Sequence, residues 1–274
     1  MPNYSILDRK IIRISGVDRS SFLQGLITND INSLSDKNPT IYSLMLTPVG
    51  TFFCDFFISE KENNIYLDVE ESRIDEILKR LSLYKLSADI ELKIDNNLQI
   101  ISLDKISDKI ESILDPRDKR LGFRAILDEK TLLEIQNNSD FCQKDLNFYN
   151  KIRFKYKIPD HNDLVVKKSI PAEYGFFDLN AISFEKGCYI GQEVMARIKY
   201  KGVIRKKIYL IEIIGDNDFI KNDEITFEDR KIGNVLSSIK NNNKILSLAI
   251  LKNSIIDENP KTQLQLNNNL IKVI

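Results

Sequence analysis

The chain has 274 residues, 42% of them hydrophobic and 29% charged, which supplies a sizeable core and excludes disorder as the main state. Forty basic residues balance forty acidic ones, so the formal net charge is zero and a partner held mainly by phosphate charge is not expected. The length exceeds one typical domain and favours two or three modules.

Residues 9–14 alternate Ile with Arg and Lys and predict a strand that Gly16 breaks; Asp18 is a candidate N-cap for a short helix carrying Phe22, Leu23 and Leu26. Residues 41–46 and 51–58 read as two strands joined around Pro48-Val49-Gly50, and 64–69 as another. From Glu71 the spacing becomes helical through Ile74, Ile77, Leu78 and Leu81, with acids first and Lys79, Arg80 and Lys85 later; alternation returns at 89–94. Strand, helix, strands, helix, strand is the order of a ferredoxin-like α+β unit. A second unit starts near Leu98, with predicted strands at 99–103, 122–127 and 132–135, a loop at Asp115-Pro116-Arg117 and a helix over 140–156. After residue 202 only strands are predicted, at 204–214, 224–227, 231–239, 245–251 and 264–273, which suggests a small antiparallel barrel or sandwich; Lys240-Asn241-Asn242-Asn243-Lys244 reads as a solvated turn.

No run of about 18 apolar residues occurs, so no transmembrane helix is expected, and the opening residues lack the pattern of a signal peptide. Cys54, Cys142 and Cys188 are too few and too dispersed for a disulfide framework, which implies a reducing, cytoplasmic setting. One histidine, His161, excludes a multi-histidine metal site within the chain, and no familiar zinc spacing exists, so no metal is expected. His161 lies in Pro159-Asp160-His161-Asn162-Asp163, which reads as an exposed polar loop.

The most unusual stretch is Glu185-Lys186-Gly187-Cys188-Tyr189-Ile190-Gly191-Gln192-Glu193-Val194-Met195-Ala196-Arg197-Ile198. Ile190, Val194 and Ile198 make a helical stripe suited to the core, Cys188, Gln192 and Met195 fall on another side, and Glu193 and Arg197 are spaced as an i, i+4 pair. Two readings of Cys188 stand: a thiolate favoured by Lys186 and a helix start, or a small buried residue.

Lys186-Gly187-Cys188-Tyr189-Ile190-Gly191-Gln192-Glu193 resembles the defining motif of the YgfZ-type folate-binding proteins of iron–sulfur cluster assembly and repair. These are relatives of the glycine-cleavage T protein, a tetrahydrofolate-dependent aminomethyltransferase. The resemblance runs through most of the chain: Gly16-Val17-Asp18 with Phe22-Leu23-Gln24-Gly25 and Thr28-Asn29-Asp30, then Leu46-Thr47-Pro48-Val49-Gly50, Asp115-Pro116-Arg117, Leu121-Gly122-Phe123-Arg124, Ile170-Pro171-Ala172-Glu173 and Ile232-Gly233-Asn234-Val235-Leu236-Ser237-Ser238 are similar to successive family segments.

The resemblance implies two ferredoxin-like α+β domains, 1–97 and 98–202, forming a central folate pocket, and a C-terminal antiparallel β-barrel, 203–274. It implies a tetrahydrofolate-binding accessory protein for iron–sulfur assembly, with support of iron–sulfur tRNA-modifying enzymes as one such task and folate-dependent aminomethyl or one-carbon transfer as the alternative. Tetrahydrofolate or a one-carbon derivative is the implied cofactor, and iron–sulfur client or assembly proteins are the implied partners, without direct nucleic-acid or membrane contact. Glu173 stands where relatives place a carboxylate against the pterin's donor edge. Asp55 falls near the acid those transferases use beside the folate nitrogen, Gln192 belongs to the cysteine motif, and Arg197 and Arg205 are candidates for the folate's anionic tail. Phe52, Phe53, Phe56 and Phe57 are candidates for an aromatic wall. Cys188 and Asp55 are the candidate chemical groups.

Overall fold

The structure is a computed structural model, and it describes residues 1–214, 221–241, 244–258, 264–266 and 269–274. The first elements are β1 (Asn3–Ile6), β2 (Arg9–Ser15), α1 (Arg19–Gln24), β3 (Thr40–Leu46), β4 (Phe52–Lys61), β5 (Asn64–Glu70), α2 (Ile74–Lys85) and β6 (Glu91–Asp95). Five of these strands form an antiparallel sheet in the order β3-β4-β5-β2-β6. Without β3, the order β6-β2-β5-β4 sets the unit's first strand between its last and its third, which is the split βαβ arrangement; β3 is an added edge strand. Strand β4 is buried on both faces and therefore reads as a nearly continuous apolar run. Cys54, Phe56 and Ile58 point to the core under α1 and α2, whereas Phe57 joins the central core. Phe53 lies on the helix side, so the expected aromatic wall is divided between two faces.

The second unit contains β7 (Leu98–Leu103), β8 (Ile113–Leu114), β9 (Phe123–Asp128), α3 (Glu129–Gln136), β10 (Cys142–Gln143) and α4 (Leu146–Lys155). Its sheet runs β10-β1-β7-β9-β8, so the chain's first strand is inserted here, antiparallel to β7 and parallel to β10. Two expectations are corrected. Residues 132–135 are helical, because Asp128 accepts the Thr131 N–H as an N-cap and the short run carrying Ile135 continues as α3; short apolar runs are ambiguous by period alone. The helix expected over 140–156 starts only at Leu146, since residues 142–143 pair with β1, the Cys142 N–H donates to the Pro2 carbonyl, and Asp145 caps α4 through the Phe148 N–H.

Helix α5 (Gln192–Lys201) leads to β11 (Lys206–Ile214), β12 (Glu224–Phe227), β13 (Arg230–Asn241), β14 (Lys244–Lys252), α6 (Asn253–Glu258), β15 (Leu264–Leu266) and β16 (Asn269–Val273). The strands close a barrel in the order β11-β14-β13-β12-β15-β16, with β16 pairing back to β11. The strands-only expectation is corrected by α6, and the strand expected over 264–273 is two antiparallel strands, Leu264 facing Ile271. Asn242 and Asn243 of the expected solvated turn lie outside the described residues. Among the described residues no helix is long and apolar enough to cross a membrane. The central core draws on the first sheet, the barrel and the helices and loops between them: Tyr42, Phe52 and Phe57 meet Leu121 and Phe154, Phe176 and Met195, and Leu236 and Ile250 of the barrel.

Candidate functional site

The sheets meet around Phe57. Arg9 on β2, Arg117 of the Asp-Pro-Arg loop and Arg124 on β9 place their guanidinium carbons 4.9, 4.9 and 3.6 Å from its ring centroid. Each of these buried cations is matched by acids. Arg9 donates through Nε to Asp68 and lies 3.2 Å from Asp55, while Arg124 reaches the other Asp68 oxygen at 2.5 Å. Arg117 grips Asp115 with two hydrogen bonds, 2.9 and 2.7 Å, and also donates to Tyr149. Burial disfavours ionised Asp115, but Arg117 and Arg124 outweigh it and hold this carboxyl below its usual range. Asp55 also accepts from the Tyr42 hydroxyl at 3.1 Å. Burial, with Asp55 adding to it, raises the Tyr42 pKa well above normal.

A second ionic cluster closes the junction. Arg153 on α4 donates to Asp163 at 2.7 Å and to Ser237 of β13 at 2.9 Å. The His161 side chain is only 8% exposed, between Asp160, 2.7 Å away, and Glu70 at the end of β5. The expected exposed-loop histidine is thus corrected: the loop packs back on the first sheet and buries the ring between two acids. Burial alone would lower the His161 pKa, but Asp160 and Glu70 outweigh it and push it up to about 10. A cavity of about 100 Å³ lies between these groups, lined by Arg9, Phe57, Arg117, Tyr149, Arg153, His161 and Ser237 among others.

The cysteine motif forms a separate feature. Lys186 is buried, and its Nζ donates to three carbonyls that end α1 and its following turn: Gln24 at 2.7, Ile27 at 2.7 and Asn29 at 2.8 Å. Burial pushes its pKa down to about 8, with Asp30 opposing. A cation at a helix C-terminus satisfies orphan carbonyls and suits the macrodipole. The expected thiolate-promoting role of Lys186 is corrected, because all three of its N–H donors are committed to these carbonyls. Gly191 has φ +86°, and an added Cβ would lie 2.8 Å from the Thr47 carbonyl and 3.2 Å from Gly50 Cα. Only glycine permits this approach, which seats the motif on the turn between β3 and β4. The two motif segments singled out in the sequence therefore touch. Lys186→Met should orphan three carbonyls and lower stability by about 2 kcal/mol; a urea midpoint unchanged from wild type would refute that role.

Cys188 is exposed at the tip of this loop, so the reading of it as a packed small residue does not hold. Gln192 is half-buried and its Nε2 lies 3.5 Å from the Gly187 carbonyl. Arg197, Glu193 and Arg205 are exposed, and the expected Glu193–Arg197 ion pair is not among the salt bridges of the described residues. The Ile190–Val194–Ile198 stripe packs against the cores as expected, half-buried, and Met195 is the fully buried residue of α5. Glu173 is half-buried in a short turn, Pro171–Tyr174. Neither it, Asp55, Gln192, Arg197, Arg205 nor Cys188 lines the cavity. Sequence pattern places His161 in an exposed loop and does not single out Arg153 and Asp163, since Glu70 and Ser237, which close the cluster, come from distant strands; Arg117 and Arg124 appear in it only as parts of family-like segments.

No family model matches the sequence. A mitochondrial iron–sulfur cluster assembly factor IBA57 homolog of Dictyostelium discoideum is 30% identical over 244 residues, covering 73% of this chain and 60% of that protein. A tRNA-modifying protein YgfZ of Aliivibrio fischeri is 25% identical over 290 residues, covering 97% and 90%. The chain is thus similar to both the YgfZ and the IBA57 proteins. The chain spans 60% or less of the length of the IBA57 relatives first matched. Its fold is that of the glycine cleavage system aminomethyltransferase T from Bartonella henselae, with a TM-score of 0.76, 12% identity, and coverage of 100% of this chain and 84% of that one.

The folate implied by the resemblance does not fit the junction as it stands. A cavity of about 100 Å³ has room for roughly three waters, whereas pockets for ligands of this size run to about 300–1,000 Å³. Asp55 is already engaged by Arg9 and Tyr42. Its carboxylate is a structural ion-pair partner in this arrangement.

Proposed function

We propose that the chain is an accessory protein of iron–sulfur cluster assembly or repair and that it acts through Cys188. The presentation of this thiol carries the reading: it is exposed on a loop pinned from below by the buried Lys186 and seated by Gly191 on the β3–β4 turn. One thiolate supplies a single ligand, and a cluster commonly takes about four. The remaining ligands of a transient cluster therefore come from a client or assembly protein. Reduced folate belongs to this reading only if the Arg9–Asp55 pair separates to enlarge the junction. Aminomethyl transfer is the less favoured reading, since the acid it would use is held by Arg9 and Tyr42.

The test is Cys188→Ala. The site is exposed, so stability should change by no more than about 0.5 kcal/mol, while support of iron–sulfur enzymes in cells is lost. Thiol labelling should rank Cys188 ahead of half-buried Cys142 and of Cys54, which is buried and whose pKa burial raises. Normal iron–sulfur enzyme activity in cells carrying the Ala variant would end this assignment. Titration with tetrahydrofolate and its formyl and methylene forms tests the folate part separately, with Glu173→Gln as the probe of a pterin contact.

A further inference from the structure

The segment after Cys188 carries a charge asymmetry that the balanced composition does not account for. Between Arg197 and Lys207 stand six cations, Arg197, Lys199, Lys201, Arg205, Lys206 and Lys207, and no acidic residue. All but half-buried Lys206 are exposed. The salt bridges of the described residues involve none of the six. Elsewhere some surface cations are paired, as Lys109 is with Asp140 and Lys231 with Glu224.

The same strip has an apolar centre. Tyr200 is 70% and Val203 81% exposed. Tyr200 is not a loose side chain. It meets Phe184 edge-on at 6.1 Å, and Phe184 meets Phe177 at 5.3 Å, with Lys199 Nζ 5.5 and 5.4 Å from the Phe177 and Phe184 rings. An ordered aromatic centre with a charged rim is the anatomy of a protein interface. A single-stranded nucleic acid would favour several stacking faces along the basic track, and here only Tyr200 projects.

Helix α5 is 10 residues long, so its two ends are roughly 15 Å apart. A standard interface covers about 800 Å² on each partner, enough to reach from the Tyr200 end to the Cys188 loop. We infer that the strip from Arg197 to Lys207, centred on Tyr200 and Val203, is a docking surface for a protein partner that presents an acidic patch around an apolar anchor. A partner of that footprint docked there is within reach of Cys188. The inference rests on the proposed function only for the thiol's part once a partner is docked; the recognition itself stands on the strip. It also gives Arg197 and Arg205 a task outside the junction.

Fluorescence anisotropy of the full chain tests this with three probes: a short peptide of Asp and Glu interspersed with Leu and Phe, the same peptide with Ser at the apolar positions, and a single-stranded RNA. The apolar acidic peptide should bind best and weaken with added salt. Combined Lys199→Glu, Lys201→Glu and Arg205→Glu substitution should weaken it about tenfold or more, given the cost of like charges across an interface. Tyr200→Ala should weaken the apolar peptide while leaving the Ser peptide unchanged. Cys188→Ser should leave all binding unchanged, so failure of the docking surface and failure of the Cys188 assignment are distinct results. Circular dichroism melts identical to wild type confirm that these exposed substitutions leave the fold intact. Peptide binding that is absent, or indifferent to the triple substitution, overturns the proposal. RNA bound more tightly than the peptide, and lost in the triple variant, overturns it in favour of a nucleic-acid surface.

Discussion

Proton NMR should find the single imidazole of this protein still charged at pH 8, with a titration midpoint near the value of about 10 that its surroundings impose. His161 is clamped by Asp160 and Glu70, and Asp55 adds to the field. The direction for stability comes from linkage. A folded-state pKa raised above the unfolded 6.5 gives stabilisation that is complete below pH 6.5 and is lost as pH climbs through about 10. Over that window a single proton changes stability by about 1.4 kcal/mol per pH unit, so the whole contribution is on the order of several kcal/mol. The acid side is governed by the partners. Glu70 and Asp160 have depressed pKa values, burial opposing and His161 outweighing it, so their contribution is present above the unfolded values of 4.5 and 3.8 and is lost as pH falls through the lower folded ones. Urea midpoints should therefore decline above pH 6.5 in wild type and stay flatter in His161→Gln. An NMR midpoint near 6.5 would mean that the ring is not held between its acids.

Replacing Asp163 with Ala should cost about 3–5 kcal/mol, because it strands the buried guanidinium of Arg153. Asp163 is fully buried and accepts from Arg153 Nη1 at 2.7 Å, the Asp160 N–H at 2.8 Å, and the Ser237 N–H at 2.9 Å. These donors come from α4, from its own loop and from barrel strand β13, so one carboxylate ties the second unit to the barrel. Asp163→Asn keeps an acceptor but loses the charge and should fall between Ala and wild type. Pairing Asp163→Ala with Arg153→Met should cost less than the sum of the two singles, since the unpaired cation is then gone. Urea denaturation measures all of these, and a loss below about 1 kcal/mol for the Ala variant would count against the strut.

Much of this architecture was legible in local pattern. Strand β4 reads as nearly continuously apolar because both its faces are covered, and Pro48-Val49-Gly50 reads as the turn that joins it to β3. The barrel was legible as strands separated by turn residues, although α6 was not. What escaped was long-range. Nothing in Asn3-Tyr4-Ser5-Ile6 says that its partners are β7 and β10, and nothing in the polar run around His161 says that Glu70 folds over it. The candidate site divided along the same line. The sequence pointed to Cys188, whose local surroundings frame it, and left Asp55 open to a chemical role because its tie to Arg9 joins separate strands. Lys186 sits two residues from the thiol in sequence, yet its donors go to α1; adjacency along the chain did not give the direction of its side chain.

The insertion of β1 between β7 and β10 orders events on the ribosome. Asn3 bonds to Asp104, 101 residues downstream, and Tyr4 to Gln143, 139 residues downstream. At about 5–20 residues per second, this first-made strand waits on the order of ten seconds for its neighbours. The sheet built on β2 has all its strands by residue 95 and is free to fold during that interval. The chain's earliest segment is thus its late-closing stitch. A nascent chain released before residue 143 carries an unpaired strand edge.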